Sequence, residues 1–64
     1  MTSTTADDLA ALGREVASAS EGYGAALERL RAGIRQAVAD GMSEHEAARV
    51  SGVSRMTVRK ALGK

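Results

Sequence analysis

Four basic side chains, Arg55, Arg59, Lys60 and Lys64, fall within the last ten residues of the 64-residue chain, with no acid from Val53 onward. Guanidinium and ammonium groups at this density suit a polyanion, either as a solvated basic tail or as a patterned footprint. The spacing favours the footprint. Val58, Ala61 and Leu62 stand at i, i+3 and i+4, so they share one face of a helix over residues 55–62. Met56, Arg59 and Lys60 project from the opposite arc, with Arg55 and Thr57 at its margins. Such a helix is held by its apolar side and offers its outer side to a DNA major groove. There, Arg can bond guanine O6 and N7 together, and Met56 or the Thr57 methyl can meet a thymine methyl. Helix starts at Ser43 and Ser54 offer amides to phosphate. The candidate contact residues are therefore Ser43, Ser54, Arg55, Met56, Thr57, Arg59, Lys60 and Lys64, and the candidate partner is double-stranded DNA.

Placing these residues requires a short framework of helices. Ser43 followed by Glu46 predicts a capping box, in which the hydroxyl accepts from the Glu46 amide and the Glu46 side chain reaches back. The helix it opens, over residues 44–51, turns Ala47 and Ala48 inward, where small residues let another helix cross closely. Gly52 stops that helix, Val53 folds back in a Schellman-type contact, and Ser54 caps the next helix. A capped helix, a glycine turn and a second capped helix form the grammar of a helix-turn-helix.

Upstream, residues 25–40 predict a supporting helix with Leu27, Leu30, Ile34, Ala37 and Val38 on one face and Glu28, Arg29, Ala32, Arg35 and Gln36 around the other. Gly41 ends it. An earlier helix should start at Thr5, which can cap with Asp8, after a frayed tail. Leu9, Leu12, Val16 and Ala19 form a narrow seam of the coiled-coil kind along it. Residues 20–24, which include Gly22 and Gly24, are the weakest helical stretch. They predict a turn between antiparallel helices, against a soft point in one long helix. With no Pro and no strand-like alternation, the expected fold is all-α, with three to four helices and a C-terminal helix-turn-helix.

Composition bounds what this fold can do. A chain of this length has room for one small domain and buries only about 60% of its unfolded surface. Without Cys, Phe or Trp, and with Tyr23 as its only aromatic residue, it must build a thin core from aliphatic residues and Ala. Burial against a partner is the expected supplement. Residues 1–24 are accordingly expected to serve dimerisation, through Leu9, Leu12, Val16, Tyr23 and Leu27, and residues 25–64 to form the DNA-binding unit. The same seam could instead be spent inside the chain, and Tyr23 could lie in the core. Charge is divided along the same line: residues 1–40 carry four bases against six acids, and residues 41–64 carry five bases against two.

Other chemistries find little support. His45 has no companions for a metal site or for catalysis and should lie on the outside of its helix. Glu44 and Glu46 suit cap and dipole roles rather than a general acid/base pair, and Ser51, Ser54 and Thr57 lack a His–Asp arrangement. The expectation is a non-enzyme with no cofactor and no metal. No stretch has the length of a membrane span, and the first residues carry acids instead of a basic leader. A cytoplasmic, nucleoid-associated location follows as the default.

The segment SEHEAARVSGVSRMTVRKAL resembles the helix-turn-helix of resolvase/invertase C-terminal domains and of many small bacterial and phage regulators. Ala48, Gly52, Val53, Ser54, Arg55, Thr57, Val58 and Leu62 carry the resemblance, which covers about the last third of the chain. It implies that Arg55, Met56, Thr57, Arg59 and Lys60 face bases or phosphates. Ser51 departs from the family pattern, which places an apolar residue there; a small rotation would let Val50 substitute. The recombinase catalytic domain has no counterpart here, so recombinase activity is not implied.

The expected function is a sequence-specific, dimeric DNA-binding transcriptional regulator. Two rivals remain: an architectural or recombination accessory factor binding DNA in tandem, and an adaptor docking residues 9–38 onto a larger protein partner.

Overall fold

The computed structural model describes residues 5–19 and 21–64, so the tail expected over residues 1–4 and the turn residue Ser20 lie outside the described residues. Four helices follow one another: α1 (Ala6–Ser18), α2 (Tyr23–Ala39), α3 (Glu44–Ser51) and α4 (Arg55–Ala61). The all-α expectation holds, at four helices with no strand among the described residues.

Local signals set most of the boundaries. Thr5 and Asp8 close a full capping box: the Thr5 hydroxyl accepts from the Asp8 amide at 3.1 Å, and the Asp8 carboxylate accepts from the Thr5 amide at 3.2 Å. Helix α1 ends at Ser18 and α2 begins at Tyr23, so two helices are present and the single long helix is not. Gly22, at φ 72°, adopts the left-handed conformation that other residues resist, and α2 begins directly after it. Tyr23 and Gly24 are therefore helical, and α2 starts two residues before the expected position.

The helix ends sort differently from expectation. Gly41 makes the Schellman motif: the Met42 amide donates to the Ala37 carbonyl and the Gly41 amide to the Val38 carbonyl, both at 3.0 Å. At Gly52 the hydrogen bonding is that of the simpler left-handed cap, with the Gly52 amide donating to the Ala48 carbonyl at 3.0 Å, while Val53 packs back against the core that holds Ala47 and Ala48, as expected. Only half of the second capping box forms. Ser43 accepts from the Glu46 amide at 3.0 Å, while the Glu46 carboxylate turns along the helix to pair with Arg49.

All four helices close on one core. Leu9 from α1, Leu30 and Ile34 from α2 and Val58 from α4 are its four largest fully buried side chains. Ala37, Ala47, Ala48 and Ala61 fill the space between them, and Leu12, Val16, Val38, Met42, Val50, Val53 and Leu62 pack around its edge. Burying one Leu or Ile contributes roughly 1.5–3 kcal/mol, so this set matters in so small a domain.

That arrangement corrects the reading of α1. Leu9 is fully buried within the chain, and Leu12 and Val16 are half-buried against the same core, so the seam is spent internally instead of being held for a second copy. Residues on both sides of position 24 contribute to this one core. Tyr23 is 52% exposed and takes no part in the core, and Leu27 is half-buried.

Ser51 explains how α1 reaches its place. It is buried, and its hydroxyl donates to the Ala47 carbonyl at 2.6 Å. Gly13 of α1 lies directly on it: a Cβ at Gly13 would overlap the Ser51 carbonyl oxygen and come within 2.7 Å of the adjoining carbon. No rotation brings Val50 into this buried position. Ser51 keeps it, as a small residue with its polar group satisfied, because a helix backbone passes over it.

Candidate nucleic-acid interface

Helix α4 begins where Ser54, in extended conformation, accepts from the Thr57 amide at 3.2 Å. Its inner side is fixed by Val58 and Ala61, both buried, with half-buried Leu62 beside them. The outer side follows by helical geometry. Arg55, Met56, Arg59 and Lys60 are all exposed, and Met56 reaches 68%. An exposed methionine among cations offers apolar contact without an internal purpose, since nothing in the core uses it.

The candidate residues are not equivalent. Arg55 and Lys60 have no ion-pair partner among the described residues. Thr57 is half-buried, and its hydroxyl lies 3.2 Å from that of Ser54, so the two hydroxyls belong to one small cap network. Ser43 and Ser54 both use their side-chain oxygens to cap their own helices. Arg59 and Lys64 converge on Glu44 of α3, with Arg59 Nη1 at 3.5 Å from Oε1 and Lys64 Nζ at 2.7 Å from Oε2.

The position of Lys64 has a local cause. Gly63, at φ 81°, makes a second Schellman motif, with the Gly63 amide on the Lys60 carbonyl at 3.1 Å and the Lys64 amide on the Arg59 carbonyl at 2.9 Å. The chain doubles back at this point and carries the Lys64 ammonium toward the start of α3. Seven of the eight residues expected to act together thus lie on α4 and its two flanking turns, Ser43 stands apart as the cap of α3, and two of the cations are engaged by an acid.

Two further residues of this region have roles that the sequence does not single out. Glu44, expected to serve only the helix start, is the acid that gathers Arg59 and Lys64. Its carboxyl is held below the ordinary range, first by the hydrogen bond from Lys64, against the opposing effect of burial, and then by the charges of Lys64, Arg59 and Arg55. Arg35, placed on the outer face of α2, donates from Nη1 to the Ala61 carbonyl at 3.2 Å. A cation there satisfies a carbonyl at the end of α4 and suits the negative end of its dipole. Neither contact has a local signal, because the partners stand 15 to 26 residues apart.

A second acid at the start of α3 behaves differently. Glu46 is also held below the ordinary range, first by its hydrogen bond from Arg49, and that pair lies one turn along α3 itself. His45 is exposed. Among the described residues, no helix is long and apolar enough to cross a membrane.

The sequence model of the homeodomain-like domain matches residues 25–63, which take in all but the first two residues of α2, with α3 and α4, and leave α1 outside. No curated protein and no solved structure matches the chain.

Proposed function

This chain belongs to the homeodomain-like domain family, matched over residues 25–63, and from that premise we propose a sequence-specific DNA-binding regulator that seats α4 in the major groove. The family supports a helix-turn-helix DNA-binding protein. One observation carries the choice of α4: its inner residues Val58 and Ala61 are buried, while Arg55, Met56, Arg59 and Lys60 all face outward. A helix held on one side and basic on the other is what a groove about 12 Å wide can accept. Arg55 and Lys60, unpaired among the described residues, supply the nearest charges for phosphate or base edges. The turn residues Gly52, Val53, Ser54 and Arg55 support the nearer likeness to resolvase/invertase domains and a bacterial or phage source.

The mechanism is occupancy. Regulation follows where the bound site overlaps one that transcription needs. A two-fold pair would present two α4 helices to successive major grooves roughly 34 Å apart. Leu9 cannot join such a pair, because it is buried in its own chain; of the residues expected there, Tyr23 is the one left largely exposed. A single copy offers few phosphate contacts, so its binding should weaken steeply with salt.

Selection of bound sequences from a random duplex pool, with the mass of the complex measured alongside, tests this directly. A palindromic consensus and a complex holding two copies are the expected result. Protection that extends in regular steps with protein concentration would point to a tandem accessory factor instead. No binding at about 50 mM salt, where electrostatic attraction is strong, would overturn the DNA reading in favour of a protein adaptor.

A further inference from the structure

Glu44 is the first helical residue of α3, and its side chain is only 20% exposed. Its carboxylate sits between the two cations nearest to it, Lys64 Nζ at 2.7 Å and Arg59 Nη1 at 3.5 Å. An acid at this point costs a polyanion-binding face attraction, because it neutralises charge where phosphates must approach. Dipole stabilisation alone does not call for such a position, since Glu46 in the same first turn already supplies an acid. Resting on the reading of α4 as the groove-facing helix, we propose that Glu44 is a positioning residue that sets specificity: it orients the Arg59 guanidinium for a base and holds Lys64 back from indiscriminate phosphate contact.

The chemistry of the two cations differs in a way that suits this role. Arg carries five N–H donors in a planar fork, and Glu44 engages the Nη1 end. The remaining donors are free for guanine O6 and N7, so Arg59 can keep Glu44 and read a base together. An oriented guanidinium has also lost part of its rotamer freedom before DNA arrives. Lysine offers a point charge with no such fork, and while Lys64 donates to Glu44 that charge is largely neutralised, so Lys64 gives a phosphate its full attraction only by exchanging Glu44 for it. Exposed ion pairs are weak enough for that exchange to occur when the rest of the interface fits. A repulsive carboxylate beneath the contact face thereby penalises DNA that brings phosphate without the matching base.

The test compares the native chain with Glu44→Gln and Glu44→Ala on a duplex chosen by the native protein and on an unrelated duplex, across a salt series. Affinity for unrelated DNA should rise about 3- to 10-fold at low salt, and the log–log salt slope should steepen by about 1 to 2 as Arg59 and Lys64 are freed. Preference for guanine at the base pair under Arg59 should fall about 5- to 20-fold, and Glu44→Gln should not lower it further once Arg59→Ala is present. Unchanged slope and unchanged preference in both variants, with native binding intact, would overturn this inference alone. A native chain that binds neither duplex would overturn the DNA reading and this inference with it. Gln preserves the shape of the side chain, so loss of helical circular dichroism in Glu44→Gln as well as in Glu44→Ala would make Glu44 purely structural and overturn the proposal.

Discussion

Where α1 crosses α3, Gly13 lies so close to Ser51 that no side chain fits between the two backbones. Where α4 meets solvent, Met56 is 68% exposed and the Arg59 side chain 52% exposed, with space for any partner of the right charge. One region is governed by fit and carries no charge. The other is governed by charge and donor geometry and constrains little of the fold. The family match follows the same division, since residues 25–63 include the basic face and omit α1. The lesson is that fit and charge fall on different surfaces: the buried faces, Val58 of α4 among them, hold the fold, and the outer face of α4 presents the cations. Substitutions in α1 should move stability and leave recognition alone, and those on the outer face of α4 should do the reverse.

The sharpest way to break that comparison is Gly13→Val. Its side chain would strike the Ser51 backbone, and overpacking against rigid backbone costs about 3 kcal/mol or more. In a domain this small that is a large share of the total stability. A urea titration should show the midpoint collapse, while site preference of the remaining folded protein stays native. A midpoint like that of the native chain would mean that α1 does not seat on α3 as described.

Arg59→Ala probes the opposite region. Binding to the selected duplex should weaken by ~1–3 kcal/mol if Arg59 reads a guanine. The unfolding free energy should stay within about 0.5 kcal/mol, as for other surface changes. Ser54→Ala sits on the border between the two regions, because the hydroxyl caps the helix that carries the contacts. It should cost about 1 kcal/mol of stability with base preference kept, read by thermal melting alongside a competition assay.

The smallest expected effect is a pH dependence. Glu44 and Glu46 are both held below their ordinary value of 4.5 by cationic partners, so the folded state favours their ionised forms. Stability from these pairs is present above that value and is lost as pH falls through the lower folded-state values. Because both pairs are partly solvent-screened, the loss should be slight. A double variant, Glu44→Gln with Glu46→Gln, should flatten the melting temperature between pH 5 and pH 3 relative to the native chain, within roughly the window where such carboxylates titrate. Identical acid profiles would show that neither pair persists in solution.

Features set by near neighbours along the chain are legible in the sequence itself. Thr5 with Asp8, Ser43 and Ser54 act over three residues, and the glycine at position 41 or 52 marks its turn by its own backbone freedom. Spacing also places Val58 and Ala61 inward and Arg59 and Lys60 outward. What stays hidden depends on residues far apart in the chain. An apolar stripe through Leu9 and Val16 shows that α1 will be covered, but not by what; the answer is its own α2 and α3. Ser51 reads as a departure from pattern because its partner, Gly13, lies 38 residues earlier. Glu44 reads as a helix-start acid for the same reason, since Lys64 reaches it only after the Gly63 turn.

The central claim is that the outer face of α4, and not α1, meets DNA. Titrating the labelled protein with its selected duplex and following every backbone amide by nuclear magnetic resonance tests it most directly. The account predicts perturbations concentrated at Ser43, Glu44, residues 54–60 and Lys64, with the outward residues of α1 such as Ala11 and Arg14 unmoved. Perturbations centred on α1, with those of α4 left in place, would contradict it.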